Sequence, residues 1–212
     1  MRTERIPTAV LLVAALAAGA CGTTAAPPPI VQPGAPGQPT RTVTASAAAK
    51  APSVTDADVK FMQGMIHHHA QALDMTELLK SRTTSGDMKK LAHRIELSQA
   101  DEINMMRKWL EAQGQDAPGE HAHHMAGAPM MPGMLTEEQM DRLAAAKGPA
   151  FDRLFLEFMI QHHAGALTMV KDLFAAPGAA QDSDVFAFAS DVDADQRIEI
   201  ARMSAMSKEL QK

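Results

Sequence analysis

From Thr55 onward, large apolar residues recur at three- and four-residue intervals rather than in alternation, which is the period of helices with one buried face. Thr55 with Asp58 three residues on predicts a capping box opening a first helix over about 56–80. That stretch holds no proline and only Gly64, and Ser81-Arg-Thr-Thr-Ser-Gly86 breaks it. A second helix over about 87–113 stops at Gly114, a residue suited to a helix C-terminus. Thr136 with Gln139 opens a short helix ending at Gly148, and Pro149 suits the first turn of a third long helix running to about 174. Ala175-Ala-Pro177-Gly178 closes it, and a fourth long helix fills about 183–210. No alternating β-branched run competes with these elements. The expected fold is therefore all-α: an antiparallel four-helix bundle made of two helix hairpins, with a short extra helix in the connecting segment.

An internal repeat organises this region. Residues 61–75 lie over residues 155–169 at an offset of 94, with nine of fifteen positions identical. The match pairs Met65, His68, His69, Ala72 and Met75 with Met159, His162, His163, Ala166 and Met169. A fainter match at offset 97 pairs Gln99, Glu102 and Met106 with Gln196, Glu199 and Met203. Repeat one spans 55–114, a His/Met-rich loop spans 115–135, and repeat two spans 136–212.

The first 54 residues read differently. Charged residues in Met1-Arg-Thr-Glu-Arg5 precede Ala9–Ala20, twelve residues with no polar side chain. Twelve is too few to cross a hydrocarbon core about 30 Å thick, and the pattern fits a secretory signal over 1–20. Cys21, the only cysteine, stands where cleavage falls, and the segment resembles a bacterial lipoprotein signal. That resemblance implies lipidation of Cys21 and anchoring to the outer side of a bacterial membrane; ordinary cleavage after Ala20 is the alternative. Residues 22–53 are rich in Pro, Gly, Ala and Thr and poor in large apolar groups, so they read as a flexible tether.

Composition adds exclusions and one anomaly. A net charge of −5 and the lack of a basic stripe argue against nucleic acid. One cysteine allows no disulfide within the chain. No nucleophile with a partnered base, His-Glu-x-x-His motif or phosphate-cradling Gly loop is present. The anomaly is 16 Met and 9 His beside no Tyr and one Trp.

Helical geometry gathers part of that excess on one side. Phe61, Met62, Met65, His68, His69, Ala72 and Met75 share the inward face of the first helix, while His67 and Asp74 point the other way. Met159, His162, His163 and Met169 repeat the arrangement. Gln99, Glu102 and Met106, and likewise Gln196, Glu199 and Met203, form single stripes on the second and fourth helices. A core face carrying four imidazoles and two carboxylates is costly unless those groups pair or bind something. They are either hydrogen-bonded core residues or metal ligands. The loop supplies a second signal: His121, His123, His124, Met125, Met130, Met131 and Met134 crowd into fourteen residues. Short His-rich tracts bind metals, and thioethers select soft ions, so the mixture points to copper with silver as a mimic. Iron or manganese suit it less well.

The pattern Asp58-x-x-Phe61-x-x-x-Met65-Ile-x-His68-His69-x-x-Ala72, with Gln99-x-x-Glu102-Ile103-x-x-Met106-x-x-Trp109-Leu110, resembles the DUF305 family of exported bacterial proteins. The resemblance covers about residues 55–210. It implies a ferritin-like helical bundle, with some members linked to copper binding and tolerance, and candidate ligands Met65, His68, His69, Glu102, Met159, His162 and His163. Gln161 replaces the first copy's His67, and Met206 stands where Trp109 sits. The leading expectation is an extracytoplasmic protein that sequesters copper or passes it to a partner protein, without catalysis; a homodimer is also open. Two alternatives stand beside it: a ferritin-like di-metal oxidoreductase, and a metal-free helical interaction module with pH-sensitive histidines. Di-metal sites use Glu-x-x-His pairs on helices, whereas the only such spacing here, Glu120 to His123, lies in the loop.

Overall fold

A computed structural model describes residues 30–32, 41–43, 54–119 and 130–211. Signal residues 1–20, Cys21, and His121, His123, His124 and Met125 lie outside the described residues. Within the stretch read as a tether, β1 (Ile30–Gln32) and β2 (Arg41–Val43) pair antiparallel, Ile30 opposite Val43. The tether reading did not anticipate this ribbon. It is carried by adjacent β-branched residues, Ile30-Val31 and Thr42-Val43, that the surrounding Pro and Gly obscured.

Residues 50–212 form a compact unit of their own, whose described residues hold five helices: α1 (Asp56–Arg82), α2 (Gly86–Ala112), α3 (Glu137–Ala145), α4 (Gly148–Ala175) and α5 (Ser183–Glu209). Each start has a local chemical cause. Thr55 and Asp58 form the reciprocal capping box, as do Thr136 and Gln139. Ser85 accepts from the Met88 amide, and Asp182 from those of Asp184 and Val185. α4 has no side-chain cap but carries Pro149 in its first turn. Gly114 ends α2 in the left-handed region at φ 67°, where a Cβ would be strained. The three residues between α1 and α2 force an antiparallel hairpin, α4 and α5 form the second, and the hairpins join through α1 against α4.

Asp58 pins this arrangement at one end. It is wholly buried; its Oδ2 accepts from the Thr55 amide and hydroxyl, and its Oδ1 accepts from the Ala180 amide at 2.7 Å. Ala180 has a positive φ of 53°, an unusual conformation for a residue with a Cβ, and this bond helps hold it.

The core comes in two apolar clusters. One gathers Phe61, Met62, Met65, Ile66, Ile103, Met106, Trp109, Val170, Val185 and Phe188. The other gathers Met75, Leu79, Met88, Leu91, Ile95, Leu143, Phe151, Phe155, Met159 and Met203. Each long helix contributes to both, and on each helix the stretch between its two contributions carries the polar residues of the motif. His67 and Asp74, expected to face solvent, are half-buried. The reason is that α1 is packed by α2, α3 and α4 together, which leaves few of its positions open.

Candidate metal centre

Between the clusters lies a polar layer: His68 and His69 of α1, Gln99 and Glu102 of α2, His162 and His163 of α4, and Gln196 and Glu199 of α5. All four imidazoles are completely buried, and both Gln are nearly so. Helical register puts them there, since each sits on the inward face at the height where the apolar residues stop. The His68 and His162 rings, one from each repeat, lie 3.8 Å apart between centroids. His162 and His163 are 6.2 Å apart.

Three of the imidazoles are oriented through the same atom. His69 Nε2–H donates to Glu102 Oε2 at 2.5 Å, and His163 Nε2–H donates to Glu199 Oε2 at 2.7 Å. His68 Nε2–H donates to the Pro132 carbonyl at 3.0 Å. Carboxylates and carbonyls only accept, so each of these rings carries a proton on Nε2, and a lone pair on Nδ1 whenever the ring is neutral. The Nδ1 atoms of His68, His69 and His163 are buried with no hydrogen-bond partner, as are both ring nitrogens of His162 and the Oε1 atoms of Gln99 and Gln196. Buried polar atoms are ordinarily satisfied; most of those left without a hydrogen-bond partner among the described residues lie in this one layer, and an imidazole nitrogen of this kind, when neutral, is what a metal ion uses. A carboxylate or carbonyl on the far ring nitrogen is also the usual support for a metal-bound histidine.

Electrostatics keeps His68 and His162 neutral. Burial, followed by the neighbouring His69, lowers His68 to about 3, and the Pro132 bond offsets only part of this. Burial, then His68, His163 and His69, holds His162 well below the usual imidazole range. Burial pushes Glu102 up, but the His69 bond and charge, the Ser98 hydroxyl and His163 outweigh it, leaving the carboxyl below its ordinary value. Ser98 donates to Glu102 Oε1 at 2.9 Å. In repeat two the equivalent of Ser98 is Asp195, pushed up by partial burial and by Glu102, Asp191 and Glu199. The side chains of Glu102 and Glu199 are 21% and 12% exposed, so the carboxylates are where the layer meets water.

The other sequence candidates are placed as follows. Met65 and Met106 are fully buried in one apolar cluster, and Met159 and Met203 in the other, directly flanking the layer. Met130 is exposed, Met131 half-buried and Met134 buried. Met134 therefore packs inward, although it belongs to the His/Met-rich loop expected to supply metal ligands. The segment 131–135 is a strap laid across α1 and α4. The Leu135 amide donates to Gln71 Oε1 at 2.7 Å, and Gln71 Nε2 returns a bond to the Leu135 carbonyl. Gln161 Nε2 donates to the Gly133 carbonyl, and Gly133, at φ 77°, sits against the Gly165 backbone, where neither residue has room for a Cβ. Reasoning from sequence missed Pro132, Gln71, Gly133 and Gly165. The substitution of Gly165 at the position matching Gln71 was the only available hint. Among the described residues, no three His, Cys, Asp or Glu side chains converge on a point that could hold a metal ion. The layer offers paired rather than threefold nitrogen and oxygen donors.

Several solved structures are similar to this chain. A DUF305 fragment from Deinococcus radiodurans is 30% identical, covering 74% of this chain and 99% of that one, with a TM-score of 0.63. A DUF305 protein from Streptomyces coelicolor, described as a candidate secreted protein, is 26% identical over 73% of this chain and 94% of that one, with a TM-score of 0.62. CopM bound to Cu(II) is 27% identical over 72% of this chain and 96% of that one, with a TM-score of 0.59, and has also been solved with Cu(I) and with silver. No curated protein matches. The family described as "Domain of unknown function (DUF305)" matches residues 58–207, from the first turn of α1 almost to the end of α5, and the chain belongs to that family.

Proposed function

We propose that this protein binds copper outside the cytoplasm, sequestering the ion or handing it on, through the two His-His pairs of the polar layer. The observation that carries the reading is the set of buried Nδ1 atoms without hydrogen-bond partners on His68, His69 and His163, each ring oriented by an acceptor on Nε2, beside His162 packed against His68. Pairs of nitrogens with thioethers above and below suit a soft ion of low coordination number. Glu102 and Glu199 act on this reading as supports of the imidazoles. CopM, solved with copper and silver, supports the choice of metal. An exported location draws support from the candidate secreted relative, and from a signal-like N-terminus. No described helix is long and apolar enough to cross a membrane. Lipid anchoring through Cys21, a partner that receives the ion, and a non-catalytic role belong to the same proposal, with capture by His121, His123, His124 and Met125.

A competitive Cu(I) titration tests it, using the full chain with Cys21→Ser so that no thiol contributes. His68→Ala/His69→Ala or His162→Ala/His163→Ala should lose a full equivalent. Deletion of residues 121–129, which spares the strap, should slow uptake and leave that equivalent in place. Loss only on loop deletion would make the layer structural. A second reading, a metal-free module with a pH-sensitive core, is favoured by the neutral buried His68 and His162. It requires thermal melts that are identical with and without copper, whereas a bound ion raises the melting temperature. Nothing in the layer favours a di-metal oxidoreductase, because its only two carboxylates are each committed to an imidazole.

A further inference from the structure

Methionine is distributed unevenly around the strap. Met75 and Met169 occupy matching positions of the repeat, yet Met75 is fully buried in the core and Met169 is only half-buried. Met169 Cε lies 3.4 Å from the point where a Cβ on Gly64 would sit, and Met131 Sδ lies 3.3 Å from the same point. The repeat-two residue matching Gly64 is Phe158, so the space over Gly64, bordered by the Met131 sulfur and the Met169 methyl, exists in one half only. Met131 is also fixed in place. The next residue, Pro132, accepts from His68, and the Met134 amide donates to the Met131 carbonyl at 3.2 Å. The strap beyond it is tied down by Gln71, Gln161 and the Gly133–Gly165 contact.

We infer that Met131 and Met169 form a separate thioether site for a soft monovalent cation, Cu(I) or Ag(I), in the groove over Gly64. Thioethers select such ions over Zn(II) or Mg(II), and a site held by rigid backbone forfeits little entropy on binding. The site is partly open to solvent, and a single peptide unit separates Met131 from the carbonyl that orients His68. It therefore stands between water and the buried imidazoles, where an ion could pause before reaching them. Ordinary groove filling by methionine is the competing account. Leucine, of similar volume and without sulfur, separates the two.

This inference rests on the copper reading, and the test keeps the two apart. The full chain with Cys21→Ser is prepared with 13C-labelled methionine methyl groups and titrated with silver ion alone. Met131→Leu and Met169→Leu assign the two methyl signals. Those signals should move with an early equivalent of silver, and the double Leu variant should lose one equivalent while retaining its fold and its imidazole-bound ion. Silver uptake that leaves both signals and the stoichiometry of the double variant unchanged overturns the thioether site and leaves the proposed function standing. No uptake of silver or Cu(I) by the unsubstituted chain overturns both.

Discussion

Gly165 of α4 and Pro132 of the strap touch backbone to backbone: a Cβ on Gly165 would collide with the Pro132 carbonyl, the group that accepts from His68 Nε2–H. A missing side chain on one helix thus sets the orientation of an imidazole on another.

Gly165→Ala tests that dependence. Alanine in mid-helix gains about 1 kcal/mol over glycine, but the collision is with backbone that cannot rotate aside. We expect a net loss of about 1–3 kcal/mol. The Leu135 amide, now bonded to Gln71, should also lose hydrogen-exchange protection. A stabilised variant with the amide still protected would contradict the tight strap.

Acid should destabilise the metal-free chain. The folded-state value of His68 is lowered from 6.5 to about 3. Below about pH 6.5 the unfolded chain therefore binds a proton that the native chain refuses. Stability is full above that pH and falls toward pH 3 by about 1.4 kcal/mol per unit for each such group. His162 acts in the same direction. Glu102, held below its ordinary 4.5, adds a further loss below about pH 4.5. Urea midpoints at pH 7.5, 6 and 5 should decline in order; equal midpoints would mean the rings protonate in place.

Glu102→Gln and Glu199→Gln distinguish support from ligation. A glutamine keeps the shape and an accepting oxygen but removes the charge that strengthens the Nε2–H bond. Copper affinity should drop roughly 10- to 100-fold with stoichiometry unchanged. Loss of a whole equivalent would make the carboxylate itself a ligand.

Asp58→Ala should cost on the order of 3 kcal/mol, because it strands the Thr55 and Ala180 amides and releases a strained turn. Chemical denaturation measures this, and a change under 1 kcal/mol would show that the turn holds without it.

The helices and the identity of the inward histidines were legible in the sequence because they depend on local chemistry. Thr55 with Asp58 and Thr136 with Gln139 are caps readable over four residues, and a spacing near 3.6 fixes which side chains share a face. The 94-residue repeat then tied the two His-His pairs to equivalent positions. Tertiary structure alone decided what those histidines touch. The pairing of His69 with Glu102 and of His68 with the Pro132 carbonyl joins residues 33 and 64 positions apart, beyond any helical period. It was packing, too, that divided the methionines. Met65, Met106, Met159 and Met203 went into the core, while Met131 and Met169 border the space over Gly64, because a thioether serves equally well as filler or as donor and only its surroundings choose between them.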